Sequence, residues 1–106
     1  MQMARKYALT SDGAAVFLTE REEQVLAHVA AGFDHATITR VLGIRKSTTV
    51  TYMARLSEIA GARNRNELVT WALLTGLVAP PQIWELWRLH APKLAAWQAR
   101  ELEVDG

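Results

Sequence analysis

The sequence predicts an all-α fold: four capped helices within residues 18–78, with a tight glycine turn between the second and third, followed by one or two further helices. Three observations predict it. Side chains able to cap a helix start recur just ahead of apolar residues at helical spacing: Thr19 with Glu22, Asp34, and Asn64 with Glu67. Glycines follow each apolar run, at Gly32, Gly43, Gly61 and Gly76, where the left-handed backbone that ends a helix is needed. Half of the 106 residues are apolar, which supports one compact core and excludes disorder as a global description. The expected organisation is an arm over 1–17, a four-helix unit over 18–78 and a helical extension over 79–106.

In chain order, the arm is of mixed polarity with a turn signal at Asp12-Gly13, and its last residues are expected to dock on the core. Helix one opens on the Thr19/Glu22 capping box, gains from Glu20 at the positive end of its dipole, and runs to about Ala31. It is expected to bury Val25, Leu26, Val29 and Ala30. Asp34 caps a short second helix with Ile38, Val41 and Leu42 inward, and Ile44 plugs the turn after Gly43. Helix three spans roughly 47–60 and buries some combination of Thr49, Met53, Leu56 and Ala60. Helix four, after the Asn64/Glu67 pair, spaces Leu68, Val69, Ala72 and Leu73 for burial. Ala79-Pro80-Pro81 breaks the chain, and Pro92 either ends one tail helix or opens the next.

Charge is distributed unevenly. The net charge is only +1, yet residues 37–65 hold Arg40, Arg45, Lys46, Arg55, Arg63 and Arg65 against Glu58 alone, while helix one carries Glu20, Glu22 and Glu23. A basic stripe of this kind is the footprint of a phosphate-backbone binder, with a merely solvated basic face as the alternative. Helix, glycine turn, helix is also the geometry that lets a second helix enter a major groove. Arg45 and Lys46 stand at the start of helix three, where two positive charges oppose the dipole unless a phosphate neutralises them.

Other chemistry lacks support in the residues. There is no cysteine, hence no disulfide or thiolate site. His28, His35 and His90 fall on different elements with no partner at ligand spacing, so each reads as a surface or capping residue, and no metal or cofactor is expected. No glycine-rich phosphate loop, nucleophile elbow or carboxylate pair in an apolar context appears, so an enzyme is not expected. No stretch has the length of a signal peptide core or a membrane span, and a cytoplasmic protein is expected.

The motifs of residues 18–78 resemble the LuxR-type (GerE-like) helix-turn-helix domain of bacterial transcription regulators. The resemblance rests on Leu18-Thr19-x-Arg21-Glu22, Val25-Leu26, Ala30-x-Gly32, Ile38, Leu42-Gly43-Ile44, Thr48, Gly61, Arg63-x-Arg65, Glu67-Leu68-Val69 and Ala72-Leu73-x-x-Gly76-Leu77-Val78, all at gap-free spacing. It implies that helix three reads bases and that the fourth helix joins a dimer on inverted half-sites, here through Val69, Ala72 and Leu73. Where the family places a buried valine and then a DNA-contacting lysine, this chain has Thr49 and Val50, and another often basic position is Ala54. The remaining base-contact candidates, Val50, Thr51 and Ala54, suit thymine methyl groups better than guanine edges. Ser47, Thr48, Tyr52, Arg55, Arg63 and Arg65 join Arg45 and Lys46 as phosphate contacts, with His35 at the start of helix two. The family tends to cap helix three at the position of Arg45, so here the cap is expected to move to Ser47 or Thr48 and shorten the helix start.

The extension holds Trp84, Trp87 and Trp97 with Ile83, Leu86, Leu89, Leu94 and Leu102, too much apolar surface to leave in water. It either folds back on the core or forms an interface anchored by the tryptophans. Three basic and four acidic residues there leave no cationic face for a membrane. Two functions compete. One is a sequence-specific transcription regulator that binds double-stranded DNA as a stand-alone homodimer. The other is a protein-interaction regulator of anti-activator type, which uses helix four or the Trp-rich tail to bind a second regulatory protein.

Overall fold

The computed structural model describes residues 7–9 and 13–104, with side chains described for 13–98. A two-stranded hairpin, β1 (Tyr7–Leu9) and β2 (Ala15–Phe17), precedes α1 (Glu20–Ala30), α2 (His35–Leu42), α3 (Lys46–Ala60), α4 (Arg65–Leu74), α5 (Pro80–His90) and α6 (Pro92–Val104). The fold is all-α around that hairpin. Where the sequence reading expects only an arm, the strands pair antiparallel with Tyr7 opposite Phe17 and Leu9 opposite Ala15. Three residues per strand are too few for alternation to register as a pattern. Residues 1–6 and 10–12 of the expected arm lie outside the described residues.

The capping chemistry is local and explicit. Thr19 Oγ1 accepts from the Glu22 amide at 3.1 Å, and the Glu22 carboxylate accepts from the Thr19 amide at 2.8 Å. At the other end of α1 the Phe33 amide donates to His28 O at 3.2 Å and the Gly32 amide to Val29 O at 2.9 Å. That pair of bonds requires the left-handed backbone seen at Gly32, φ 89°. Asp34 accepts from the Thr37 amide at 2.8 Å, and these Thr37 contacts, with Arg65 and Arg40 nearby, hold its carboxyl below its usual range. Asn64 caps α4 through the Glu67 amide at 2.9 Å. The Glu67 carboxylate then turns to Arg63, accepting from its amide at 2.7 Å and its Nε at 2.9 Å, so the expected Asn64/Glu67 box is only half made. Pro80 and Pro81 occupy the first turn of α5, where their missing N–H groups go unused.

The core runs from Leu18 through Val25, Leu26 and Val29 of α1, Ile38 of α2, Leu56 of α3 and Leu68 of α4, to Val78. α1 packs against α3, α4 and α5, and α6 follows α5 through a bend at Ala91 (φ −145°, ψ 62°). Four expectations are corrected. Ile59 is buried more deeply than Met53 or Ala60, because α3 meets the core on the side that also carries Thr49 and Leu56. His28 is buried rather than a surface or capping group: Nδ1 lies 2.6 Å from Gln24 O, and the ring packs edge-on to Phe33. Ala72 is fully buried, so it cannot belong to an interface. Trp87 is not free for a partner, because it packs on the core and its Nε1 donates to Ala31 O at 2.7 Å.

Glu22 is the buried polar group that ties elements together. Its side chain is 3% exposed, and beyond capping α1 it pairs with Arg55 Nε on α3, whose side chain is 51% exposed. Replacing it with alanine removes one partner of the Thr19 amide and the cross-helix bond together. Glu22→Ala is expected to lower stability by about 1–3 kcal/mol, read from denaturant unfolding.

His28 supplies a pH signature. Burial, above all, and then the proximity of His90 push its pKa below 6.5, against the raising effect of the Gln24 carbonyl. The carbonyl partner fixes the proton on Nδ1 in the neutral ring. As pH falls below about 6.5, the unfolded imidazole binds a proton that the folded one resists. Stability is therefore fully present above that pH and declines below it, and thermal melts between pH 7.5 and 5 should show a slope that His28→Leu flattens.

Candidate nucleic-acid interface

α3 buries one side and leaves a continuous stripe in water. Thr49, Leu56 and Ile59 are buried, with Tyr52 and Met53 half-buried against the core. Ser47, Val50, Thr51, Ala54, Arg55 and Glu58 are exposed, and their spacing places them on one face of the helix. Of these, Val50 is an apolar side chain 46% exposed in water.

The start of α3 has no side-chain cap and no acid in its first turn. Arg45 is the N-cap residue (φ −74°, ψ 152°) and Lys46 the first helical residue, both exposed. The expected shift of the cap to Ser47 or Thr48 does not occur. The Arg45 carbonyl accepts from the Thr49 amide at 3.0 Å and from Thr49 Oγ1 at 3.3 Å, which closes the first turn from the backbone side. Two cations thus sit on unsatisfied amides at the positive end of a dipole, each unfavourable by about 0.3–1 kcal/mol. Lys46 also lines a surface depression with Asp34, His35, Ala36 and Thr39, so the starts of α2 and α3 lie together.

The α2–α3 pair is locked by a part-buried polar contact that sequence reasoning missed. Thr39 Oγ1 and Thr49 Oγ1 are 2.9 Å apart. Thr49, standing where the resemblance leads one to expect valine, has its hydroxyl fully used. The signal lay in two threonines ten residues apart, at a spacing no helical periodicity links.

Three further cations, Arg55, Arg63 and Arg65, are already engaged. Arg55, though exposed on the stripe, places its Nε on the Glu22 carboxylate of α1. Arg63 is a solvent-exposed side chain paired with Glu67, an exposed ion pair that a phosphate could displace at little expense. Its guanidinium is held more firmly protonated, and the Glu67 carboxyl well below its usual range, by their mutual hydrogen bonds. Arg65 is half-buried and donates through Nη2 to the Phe33 carbonyl, clamping the loop between α1 and α2. Thr48 is half-buried at the first turn of α3, as is His35 at the start of α2.

α4 presents Leu73 (40% exposed) and Leu74 (83% exposed), while Val69 is half-buried on the core. Leu74 escaped the sequence reading, which followed only the core-facing stripe. It lines an apolar depression with Trp71, Thr70 and Asn66. In the extension, Trp84 is half-buried and packs edge-on to Trp87 with ring centroids 5.3 Å apart, whereas Trp97 on α6 is 53% exposed. Among the described residues, no group of three or more His, Asp or Glu side chains is placed to hold a metal ion, and no helix is long and apolar enough to cross a membrane.

Comparison with known proteins agrees with this geometry. The family profile described as bacterial regulatory proteins, luxR family, matches residues 16–72. A solved structure of the VqmA dimer of Vibrio cholerae, a LuxR-type receptor studied in the absence of its target DNA, superposes with a TM-score of 0.56 at 28% identity. The match covers 74% of this chain and 37% of that one, so the chain spans well under two thirds of VqmA. Among curated proteins there is no significant match. A profile matched over more than half of its length, with the helices and the helix-three stripe in place, shows that the chain belongs to the luxR family of bacterial regulatory proteins.

Proposed function

We propose that the chain is a transcription regulator that binds double-stranded DNA sequence-specifically as a homodimer, with α3 in the major groove. The observation that supports this reading most directly is the start of α3: Arg45 and Lys46, exposed and uncapped, oppose the helix dipole. Nothing in the core rewards that arrangement, whereas a phosphate at the helix start would neutralise both charges and accept from the free amides. Val50, Thr51 and Ala54 then face base edges, with Ser47, Thr48, Tyr52, Arg63 and His35 as flanking backbone contacts, while Arg55 and Arg65, committed to Glu22 and the Phe33 carbonyl, hold the elements in place. Leu73 and Leu74 supply the self-complementary apolar patch that a two-fold dimer needs. VqmA, described as a dimer with a DNA target, supports the same assembly. A second reading, docking of another regulatory protein, is favoured by Leu94 and Trp97, which leave α6 with exposed apolar side chains.

Selection of duplexes from a random pool near physiological salt tests the proposal. Enrichment of an inverted-repeat motif supports it; a soluble, folded protein that enriches nothing overturns it in favour of the second reading. Arg45→Ala and Lys46→Ala should each weaken binding several-fold on all sequences and remove about one unit from the slope of log K against log salt concentration, while leaving the melting temperature equal or slightly higher. Leu74→Glu should shift sedimentation from dimer to monomer with stability changed by no more than about 0.5 kcal/mol, because the side chain touches solvent rather than core.

A further inference from the structure

We infer that the base-reading face of α3 recognises C5-methyl groups in the major groove, those of thymine and equally of 5-methylcytosine, rather than the hydrogen-bonding edges of guanine. The inference rests on the proposed entry of α3 into duplex DNA and specifies what the helix reads there.

The centre of the exposed stripe consists of Val50, Thr51 and Ala54, at positions i, i+1 and i+4 of one helix face. Thr51 is chemically decisive. Its Oγ1 donates to the Ser47 carbonyl at 2.9 Å, which commits the hydroxyl proton to the helix backbone, so that toward a base edge Thr51 offers its γ-methyl and acceptor lone pairs but no donor for O6 or N7 of guanine. Val50 offers two methyls and Ala54 one. The nearest cation on the stripe, Arg55, is turned onto Glu22 of α1, so no guanidinium is aimed from the stripe's centre at O6 and N7 of guanine. An aliphatic surface in the major groove has one good partner, the methyl on C5 of a pyrimidine.

Helix propensity supplies an independent argument. Thr48, Thr49, Val50 and Thr51 form a run of four β-branched residues in the first two turns of α3, each less favourable in a helix than alanine by several tenths of a kcal/mol. Burial accounts for Thr49, whose hydroxyl meets Thr39. Val50 and Thr51 are exposed and contribute nothing to the core, so their branched methyls serve something outside it.

The test compares four versions of the duplex enriched from the random pool: with thymine, with deoxyuridine in its place, and with thymine·adenine pairs in the motif changed to cytosine·guanine, once without and once with a C5 methyl. Loss of one methyl contact should weaken binding about three- to fivefold per position, multiplying across independent positions. With one contact in each of two half-sites the uracil duplex should therefore bind about nine- to twenty-five-fold more weakly, and methylation should recover part of the cytosine duplex's deficit. Thr51→Ser, which keeps the backbone bond and deletes the methyl, should bring the thymine and uracil affinities closer together. Equal, salt-sensitive binding of thymine and uracil duplexes would overturn the methyl reading and leave DNA binding intact. Failure to bind any duplex at low salt would instead overturn the proposed function itself.

Discussion

A buried carboxylate organises the orientation of this domain. Glu22 is anchored at the start of α1, where its backbone amide and its carboxylate exchange bonds with Thr19, and it spends its second oxygen on Arg55 of α3. An unpaired buried carboxylate would be strongly unfavourable, so the α1–α3 arrangement in which Arg55 reaches it is preferred over neighbouring ones. Thr39 and Thr49 set the α2–α3 contact in the same way, through a polar bond in an apolar setting that is satisfied in one geometry. Arg65 closes the set by holding the loop that joins α1 to α2. The apolar core supplies the driving force, while these directional contacts fix how α3 is presented.

α3 itself breaks local rules that α1, α2 and α4 obey. Those three each begin with a side-chain acceptor, and all three have an acid in the first turn or at the cap. α3 begins with two cations, no cap and a run of β-branched residues, and it holds an exposed valine. Departures of this kind cluster where a protein surface is shaped by a ligand rather than by its own stability. Two cations at an uncapped start together with a run of four β-branched residues, on one helix, argue against drift spread evenly over the surface.

Much of this was legible in the sequence because capping and helix termination are local. Thr19, Asp34 and Asn64 marked three helix starts, and Gly32, Gly43 and Gly61 three ends, since each acts through bonds spanning only a few residues. What escaped was set by tertiary geometry. His28 carried no signal of burial until Phe33 and His90 closed over it, with ring centroids 5.9 and 6.5 Å away. The Thr39–Thr49 bond pairs residues that periodicity does not relate. Within the interface, the exposed aliphatic character of positions 50, 51 and 54 was readable, whereas the commitment of the Thr51 hydroxyl and of Arg55 depended on rotamers that spacing cannot give.

The extension divides at Ala91 for a physical reason. α5 has a partner: Ile83, Leu86 and Trp87 pack on the core, and the Trp87 indole satisfies the carbonyl of Ala31 just past the end of α1, where no helical amide is available. That bond makes α5 part of the domain's own closure and removes Trp87 from consideration as an anchor for anything else. α6 begins after the backbone turns at Ala91, and its first turns carry Leu94 and Trp97 with 42% and 53% of their surface exposed. A helix that packs chiefly on its neighbour has little core to win, so its orientation depends on α5 remaining docked. Any surface built from α6 is therefore tied, through Trp87 and Ala31, to the same α1 whose other end positions α3.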